Sequence, residues 1–515
     1  MPMILLGASL ALSVAFFVYG LNTLHLTFRA GRYRPAHPAR LSTKPDVAIH
    51  LPVYNELYVV QRLLTACAGV AASYGPDKVK VYVIDDSTDE TSAKIDEVVR
   101  DHSSKGISFE VIRRGSREGF KAGALEAALK ITEEKYVAVF DADFVPPPDF
   151  LEEPVAVLEG DPAVGFVQAR WGHLDRNFNS VTESIAIGVD AHFLLEQQGR
   201  NASGYLMNFN GSAGVIRSEA IRMCGGWSPD TLAEDLDLSY RMQLAGYRGV
   251  YLRDLEVPAE LPPTIASLKR QQGRWARGSL QTATKLLGPI RRSEKLTRTQ
   301  KFQAGVHLTY YLVHPLMVAS FLLAVAAVFL NINVISYAVS ISIPNISGGS
   351  GSVGTALMTI SVIPWVVFSV LVGASTLAVL FYCVQAVRYQ RLGLLGKVRR
   401  VALLVVLGYG ISISNSVYAL KGIFSRKRGT FLRTPKYAVV HAGEEWRGKK
   451  YQIPVNSAAL LEAGAVGIAL ASLASALRNG NLGILPILLV YLTGYSFVLY
   501  LSLRQTPGAR ARLDR

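Results

Sequence analysis

Acidic residues gather at two points of the chain where they could take part in a reaction. Glu234, Asp235 and Asp237 lie within four residues, and the chain continues from them in an amphipathic helix pattern. One of these carboxylates could act as a general base, although acids at a helix N-terminus also simply complement the helix dipole. Asp141 and Asp143 alternate at the end of an apolar run. They therefore point the same way and could hold a divalent cation such as Mg²⁺.

Two further stretches hold polar residues that suit either a function or a plain structural role. Asp85 and Asp86 precede Ser-Thr, a combination that suits a ligand site and equally suits a turn or a helix N-cap. Gln271, Arg274 and Trp275 lie in the helical stretch SLKRQQGRWARGSLQ. An indole offers a flat apolar face to a sugar, and a guanidinium offers a planar cation to a phosphate. The alternative is an amphipathic surface helix with one buried tryptophan.

Alternating strand and helix patterns must position these side chains. Residues 46–56 begin as an apolar, β-branched run, and the stretches VKVYVIDD, ISFEVIRR and YVAVFDADF repeat that pattern with helical stretches between them. This alternation predicts a parallel α/β sheet whose site lies at the carboxyl ends of the strands. The four aspartates at positions 85, 86, 141 and 143 would meet at that edge. No G-x-G-x-x-G follows the first strand, which argues against a dinucleotide-binding fold.

The composition is that of a membrane protein. Half of the 515 residues are hydrophobic, and the mean hydropathy is +0.25. A net charge of +15 could indicate nucleic acid, but the basic residues cluster beside apolar runs. That placement favours the positive-inside bias of cytoplasmic loops and no nucleic-acid partner. The three cysteines show no pair spacing, so neither a disulfide framework nor a zinc site is expected.

Five apolar stretches are predicted to cross a bilayer. They are an N-terminal anchor at 1–28, two helices within 303–387 separated by a loop rich in Asn, Gly, Ser and Pro, and two helices within 454–503, followed by a basic tail at 504–515. The basic residues after position 28 place the following domain on the cytoplasmic side.

Two other stretches are predicted to lie at the membrane interface. Residues 284–302 read as one basic, amphipathic helix. Within 388–421, residues 401–420 are long enough to span, but basic clusters flank both ends and the stretch carries Ser412, Ser414, Asn415 and Ser416. We therefore expect an interfacial or re-entrant helix that faces protein. The alternative is a sixth span.

Seven motifs together resemble one family. The stretches VIDDSTD, FKAGAL, FDADF, VQARW, FNGSAGV, EDLDL and QQGRW occur in the order typical of family 2 glycosyltransferases of the processive, membrane-embedded kind. The resemblance is closest to cellulose synthase-like mannan and glucan synthases, and it covers 46–290 with a weaker match at 421–440. It implies a GT-A (Rossmann-like) α/β catalytic domain at 41–283, inserted into an all-α transmembrane bundle. It also implies a cytoplasmic gating loop within 422–453.

The resemblance assigns a role to each candidate residue. It implies Asp235 as the general base, with Glu234 beside it, and Asp86 with Asp85 at the nucleotide base. Ala233 departs from the usual Thr-Glu-Asp, which leaves the acids in place. The implied donor-binding residues are Tyr54, Glu56, Asp85, Asp86, Lys121, Asp141, Arg274, Thr434 and Lys436; the acceptor-binding residues are Asn210, Gly211, Ser212, Gln271 and Trp275; and the metal ligands for Mg²⁺ or Mn²⁺ are Asp141 and Asp143.

The expected function is the polymerisation of a β-linked polysaccharide from GDP-mannose or UDP-glucose, with inversion at the anomeric carbon. The expected partners are a nucleotide-sugar donor, the growing glycan and the lipid bilayer; an accessory subunit stays open. One alternative is transfer of a single sugar to a lipid or lipid-linked acceptor, and another is a transporter or scaffold with a degenerate nucleotide domain. His307, Tyr310, Tyr311 and His314 could line an export channel or anchor the chain at the interface.

Overall fold

The described chain forms two compact units. The structure, a computed structural model, describes residues 2–36, 38–332, 351–388, 390, 392–425, 429–454 and 458–505. One unit comprises Leu26–Thr309 and Lys421–Gln452, and is called the sheet unit below. The other, called the helical unit, takes its residues from 1–25, 310–420 and 453–515. In chain order the sheet unit is therefore inserted into the helical unit, as expected.

One mixed sheet organises the sheet unit. Within the described residues its strands are β1 (Val47–Val53), β2 (Val79–Asp85), β3 (Ser108–Ile112), β4 (Tyr136–Val139), β5 (Val164–His173), β6 (Gly214–Arg217) and β7 (Arg248–Ala259). They lie in the order β3-β2-β1-β4-β6-β5-β7. All neighbours are parallel except β6, which is antiparallel to both β4 and β5. The sequence predicted a parallel sheet, and β6 is the exception to that prediction.

Apolar side chains on both faces explain the central strands. Val47, Ile49 and Leu51 of β1 are fully buried in one core cluster, while Ala48 belongs to the cluster on the opposite face. Strands buried on both faces read as nearly continuous apolar runs, which is why the sequence identified them. β1, β2 and β4 are parallel, so Asp85, Asp86 and Asp141 emerge at one edge, as predicted.

Helices cover both faces of the sheet. The chain begins with α1 (Pro2–Ala30). The helices that follow in this unit are α2 (Val60–Tyr74), α3 (Thr91–Ser103), α4 (Phe120–Ile131), α5 (Glu152–Gly160), α6 (Ser180–Ala191), α7 (Gln198–Ala202), α8 (Ser218–Met223), α9 (Glu234–Ala245), α10 (Ile265–Arg292) and α11 (Arg298–Leu308). A π-helix, His192–Gln197, joins α6 to α7.

The prediction of one amphipathic helix over 284–302 is wrong. α10 runs on through this stretch to Arg292, and a separate helix, α11, begins at Arg298. Thr297 caps α11 by accepting a hydrogen bond from the backbone N–H of Gln300, whose side chain bonds back to the Thr297 N–H. This capping box stops a continuous helix from forming across the stretch.

The helical unit contains helices suited to a membrane. Its later helices are α12 (Val313–Phe329), α13 (Gly351–Arg388), α14 (Leu394–Gly410), α15 (Ser412–Phe424), of which the last residues enter the sheet unit, α16 (Ala458–Arg478) and α17 (Leu485–Arg504). Five segments of the described residues are long and apolar enough to cross a membrane: Ile4–Ala30, Tyr310–Phe329, Val367–Arg388, Ala459–Arg478 and Leu482–Arg504. These segments are the five predicted spans, and they are typical of a multi-pass membrane protein. The loop at 333–350 and the tail from 506 lie outside the described residues.

The stretch predicted to be interfacial or re-entrant is a broken helix. α14 and α15 meet at Ile411 with a bend of 50°, so the pair is either one broken span or a re-entrant segment. Ser412, Asn415 and Ser416 are buried, and Asn415 Nδ2 lies 3.0 Å from His314 Nε2. The prediction that these polar residues face protein is confirmed.

Candidate active site

One cavity of the sheet unit collects most of the predicted residues. Its volume is about 170 Å³, and it lies at the edge where β1 and β4 end. Fourteen residues named from the sequence line it: Tyr54, Glu56, Asp86, Lys121, Asp141, Asp143, Asn210, Glu234, Asp235, Gln271, Arg274, Trp275, Thr434 and Lys436. They come from eight separate stretches of the chain, so the fold brings them together.

Asp235 occupies the first turn of α9 in the cavity wall. Its side chain lies so close to the 210–212 turn that a Cβ atom at Gly211 would be 2.6 Å from Asp235 Oδ2. Gly211 also has φ +78°, so glycine is required there on both counts. Burial and the Glu234 carboxylate raise the pKa of Asp235 to about 7, although Lys121 acts in the opposite direction. Such a carboxyl is suited to accept a proton near neutral pH.

Lys121 links the aspartate edge of the sheet to α9. Its Nζ lies 2.6 Å from Asp141 Oδ1 and 3.7 Å from Glu234 Oε1, and it donates to the Gly211 carbonyl at 2.9 Å. Burial acts to lower the pKa of Lys121, but the surrounding carboxylates outweigh burial and raise it. The ammonium therefore stays charged and sets the distance between Asp141 and the Asp235 region.

Asp143 is paired with a residue nearly 300 positions away. Lys436 Nζ donates to Asp143 Oδ2 and, at 2.8 Å, to the backbone carbonyl of Glu260. Both side chains are about nine-tenths buried. The Asp143 carboxylate thus already balances a cation inside the cavity. No cluster of three or more metal-binding side chains occurs in the described part of the chain. Mg²⁺ needs only one or two carboxylates when phosphates supply the other ligands, so the donor set fits a metal that arrives with a diphosphate.

The walls near Tyr54 and Asp86 are also held by arginines. Arg114 binds the Asp86 carboxylate with two nitrogens, its Nε donating to Asp86 Oδ1 at 2.9 Å. The central carbon of the Arg117 guanidinium lies over the Tyr54 ring, 3.4 Å from its centroid. A planar cation stacked on an aromatic ring offers a flat platform against a nucleotide base.

A strap formed by residues 429–452 closes one side of the cavity. Phe431 stacks against Phe120 at 6.3 Å, and Arg433 Nη1 lies 2.8 Å from Glu56 Oε2. Burial raises the pKa of Glu56 to about 7, although Arg433 acts to lower it. The strap includes Thr434 and Lys436, both of which line the cavity, and its role as a gating loop stays a prediction.

The far end of the strap is fastened to the turn that precedes α3 and to Tyr58. Tyr451 Oη donates to Asp89, and Lys450 Nζ lies 2.5 Å from Glu90 Oε1. The Lys450 backbone N–H donates to Tyr58 Oη at 2.9 Å. These contacts hold both ends of the strap on the same unit.

α10 supplies the third wall and packs directly on the loop before α9. A Cβ atom at Gly278 would lie 2.7 Å from Ala233 Cβ and 2.8 Å from the Ala233 nitrogen, so only glycine lets the two backbones approach this closely. Gln281 Oε1 accepts from the Leu232 N–H at 3.0 Å. One turn on, Lys285 Nζ lies 2.9 Å from Asp237 Oδ1. The helix that carries Arg274 is therefore positioned against the base-bearing loop.

Asp237 is thus more than a helix-capping acid. Its side chain is fully buried and pairs with Lys285 and with Arg241, whose Nε lies 2.8 Å from Asp237 Oδ2. Breaking such a buried pair leaves an uncompensated charge. From the sequence, Asp237 could simply complement the dipole of its helix. Its ion pair with the distant Lys285 changes that interpretation.

Three predicted binding residues do not line the cavity. Asp85 is buried behind it, pairs with Arg113 Nε at 3.0 Å and caps the following turn through the Ser87 N–H. Gly211 touches Lys121 through its carbonyl, as described above. Ser212 is fully buried and accepts a hydrogen bond from the Asp141 N–H at 2.9 Å, so it supports Asp141 from behind.

Other lining residues were not named from the sequence. They include Arg117, Trp171, His173, Glu260 and Arg433. Trp171 belongs to the VQARW motif, and its Nε1 donates to the Ser212 carbonyl at 3.2 Å. That motif was the available signal for Trp171. The arginines stand in charged stretches with no spacing that singles them out.

The comparisons with known proteins agree with this geometry. Residues 45–278 match the model of a glycosyltransferase-like family 2 domain. Probable glucomannan 4-beta-mannosyltransferase 7 of Oryza sativa subsp. japonica is 37% identical over 262 residues, which are 50% of this chain and 44% of that protein. Glucomannan 4-beta-mannosyltransferase 2 of Arabidopsis thaliana is 37% identical over 273 residues, 52% of this chain and 50% of that protein. The chain spans about half the length of the curated relatives it matches.

A solved structure is also similar. A mannosyltransferase from Pyrobaculum calidifontis, in complex with GDP-Man and Mn²⁺, is 22% identical with a TM-score of 0.47, covering 73% of this chain and 98% of that one. The mixed sheet, the acids at its edge and the family match define a glycosyltransferase domain of the GT-A fold. Residues 45–278 are therefore a family 2-like glycosyltransferase domain, and over about half of its length the chain is similar to the glucomannan 4-beta-mannosyltransferases.

Proposed function

We propose that this protein is an inverting, processive glycosyltransferase that extends a β-linked glycan from a nucleotide sugar. One observation carries the proposal: the Asp235 carboxyl, with a pKa raised to about 7, lines the same cavity as Asp143 and the cations Lys436 and Arg274. A proton acceptor and a diphosphate-sized set of charges thus meet in one space.

The chain's own residues can perform a single displacement. Asp235 accepts the proton of the acceptor hydroxyl while that oxygen forms a bond to the anomeric carbon. The bond from the anomeric carbon to the diphosphate breaks, and the nucleoside diphosphate leaves with the electron pair. Lys436 and Arg274 stabilise the charge that develops on the leaving oxygens. Attack from the opposite face inverts the carbon, so an α-linked donor yields a β-linked product.

A divalent metal, Mg²⁺ or Mn²⁺, belongs to the proposal. Asp143 would hold it, with Asp141 nearby, and the diphosphate would supply further oxygen ligands. When bound, the metal neutralises charge on the diphosphate.

The relatives' names bear on the donor and the product. Both quoted relatives are 4-beta-mannosyltransferases of glucomannan, which favours GDP-mannose over UDP-glucose as the donor and a β-linked mannan or glucomannan as the product. The strap that covers the cavity and the aromatic residue on α10 support repeated addition over transfer of a single sugar to a lipid. The single-transfer reaction remains the second candidate.

The membrane placement is also a proposal. The part of the chain that the structure describes holds five helices suited to spanning a bilayer, and the basic residues after α1 favour a cytoplasmic site. The product would leave through the chain's own bundle, which holds Tyr311 stacked on His314 at 5.9 Å. Polar and aromatic side chains of this kind could guide a sugar chain through lipid. His307, in contrast, lies in the sheet unit, where its Nδ1 is 2.7 Å from Tyr240 Oη.

A donor panel with product sizing tests the proposal. Purified full-length protein receives GDP-mannose or UDP-glucose with Mg²⁺ or Mn²⁺, and the release of nucleotide and the size of the labelled product are measured. Turnover with GDP-mannose and a product of high molar mass is expected. A short lipid glycoside would favour the second candidate, and no turnover with either donor would refute both.

Asp235→Asn tests the assignment of Asp235 as the general base. It should lower turnover by about 10²- to 10⁴-fold while donor binding is kept. The folded-state pKa of Asp235 lies above that of an unfolded aspartate, so its contribution to stability is present at low pH and is lost as the pH rises through about 7. The amide does not ionise, so this variant should be no less stable than the wild type in alkaline buffer. Near-normal polymerisation by Asp235→Asn would rule out the base assignment.

A further inference from the structure

Neighbouring side chains hold the amide of Asn210 in one orientation. Asn210 lines the cavity and directly precedes Gly211, whose backbone contacts the Asp235 side chain. A polar group at this position lies close to the proposed base. Its orientation decides whether it offers a donor or an acceptor to a bound sugar.

A backbone carbonyl sets the orientation of the amides. Gln197 Nε2 donates to the Asn208 carbonyl at 2.9 Å and to Asn210 Oδ1 at 2.9 Å. A carbonyl only accepts, so the Gln197 amide nitrogen must face Asn208. The atom of Asn210 that meets this nitrogen must then be its oxygen. The Asn210 backbone N–H is also held, because it donates to Gln168 Oε1 at 2.8 Å.

The other side of Asn210 meets a histidine. Asn210 Nδ2 donates to His192 Nε2 at 3.0 Å, so Nε2 carries no hydrogen. The imidazole hydrogen is on Nδ1, which lies 3.0 Å from Glu196 Oε2 and donates to it. Glu196 thereby selects the neutral tautomer that can accept from Asn210.

A π-helix makes this arrangement possible. His192, Glu196 and Gln197 all belong to the π-helix His192–Gln197. The wider turn of a π-helix, with its i to i+5 bonding, places positions 192, 196 and 197 on one face. π-helical turns are frequent at functional sites, because they reorient side chains at a cost in regularity.

The network leaves one donor for a ligand. Asn210 Nδ2 carries two hydrogens, and the second has no protein partner among the residues that the structure describes. The resemblance already implies Asn210 as an acceptor-binding residue, so a bond from this hydrogen to an acceptor hydroxyl is part of the proposed function; we propose that His192, held by Glu196, is the positioning residue that fixes the Asn210 amide in this orientation. This inference rests on the proposed function, because it names a contact of the acceptor at that same site. Trp171 and Trp275, which also line the cavity, would cover the apolar face of the sugar.

Kinetics of variants at position 192 test the proposal. His192→Leu removes the acceptor atom and keeps the bulk, so Asn210 can rotate. Its KM for a β-linked manno-oligosaccharide acceptor should rise about tenfold, the effect of one hydrogen bond, while GDP affinity is unchanged. His192→Gln supplies a neutral oxygen acceptor and should stay within about threefold of the wild type.

Gln197→Glu provides a second, independent variant. It places a carboxylate oxygen against Asn210 Oδ1, which favours rotation of the Asn210 amide, and should raise the acceptor KM by about tenfold as well. This variant decides the matter if His192→Leu does not fold. An unchanged acceptor KM in the folded variants, an equal loss of GDP affinity, or no rescue by His192→Gln would overturn the proposal. Absence of any sugar transfer by the wild type would instead refute the proposed function.

Discussion

Two linings of the same cavity are built on different principles. The charged lining comprises Glu56, Asp86, Lys121, Asp141, Asp143 and Lys436, and these side chains are held by ion pairs within the protein. The neutral lining comprises Trp171, Asn210 and Trp275, and there the fixed contacts are hydrogen bonds from an indole and from amides.

The difference corresponds to the two proposed ligands. A diphosphate and a metal carry full charges, and buried counter-charges arranged in advance stabilise them where water is excluded. A sugar acceptor is neutral, so flat apolar faces and single hydrogen-bond donors are sufficient to orient it. Each lining therefore predicts a different response to mutation. Changes in the charged lining should alter turnover and metal dependence, while changes in the neutral lining should alter the acceptor KM.

Apart from the base Asp235, the largest effect is expected at Asp143. Asp143→Asn removes the carboxylate proposed to hold the metal, so metal affinity and turnover should fall by about 100-fold. Titration with Mn²⁺ in the presence of GDP measures the affinity directly. Asp85→Asn is the matched control, because Asp85 lies at the same sheet edge but does not line the cavity. Equal losses of Mn²⁺ affinity in both variants would contradict the distinction.

A smaller loss is expected where α10 meets the loop before α9. Gly278→Ala would force its Cβ against Ala233 and shift the helix that carries Arg274 and Trp275, lowering turnover by about tenfold or more. Because the shift affects both linings, GDP affinity and acceptor KM should both worsen. Gly288→Ala, in the same helix, meets no atom closer than 3.6 Å and should behave as the wild type. A fully active Gly278→Ala variant would show that the close approach is dispensable.

The pH dependence should distinguish the base from its surroundings. The pKa of Asp235 is raised to about 7, and the base must be deprotonated to work, so kcat/KM should fall about tenfold per pH unit below that value. Glu234→Gln removes the neighbouring negative charge that helps to raise the pKa, and should move this limb to lower pH. The profile is measured with saturating metal. If the fall of kcat/KM at low pH occurred at the same pH in Glu234→Gln as in the wild type, the titration would belong to another group.

The smallest effect is expected at Trp171. Trp171→Phe keeps an aromatic face but loses the hydrogen bond from Nε1 to the Ser212 carbonyl, so the acceptor KM should rise about fivefold. GDP affinity and the metal requirement should not change. Steady-state kinetics with varied acceptor measure the acceptor KM, and calorimetry measures the GDP affinity. A loss of GDP affinity would show that the two linings are not separate.

Local patterns in the sequence were sufficient for several parts of this protein. β1, β2 and β4 are apolar on both faces, and the acids that follow them lie at one edge because parallel strands end together. Glu234 and Asp235 begin α9 as the amphipathic pattern predicted, and five membrane-suited helices follow from runs of apolar residues. Each of these features depends on neighbours within about 20 positions, where period and composition carry the information.

Only the tertiary structure decided the remaining features. Lys436 reaches Asp143 across 293 positions, Lys285 neutralises Asp237, and β6 enters the sheet antiparallel to its neighbours. The π-helix that orients Asn210 has no signature in the sequence. Such contacts arise because close packing and charge compensation act between surfaces that meet only in the folded chain, and no local propensity encodes which surfaces will meet.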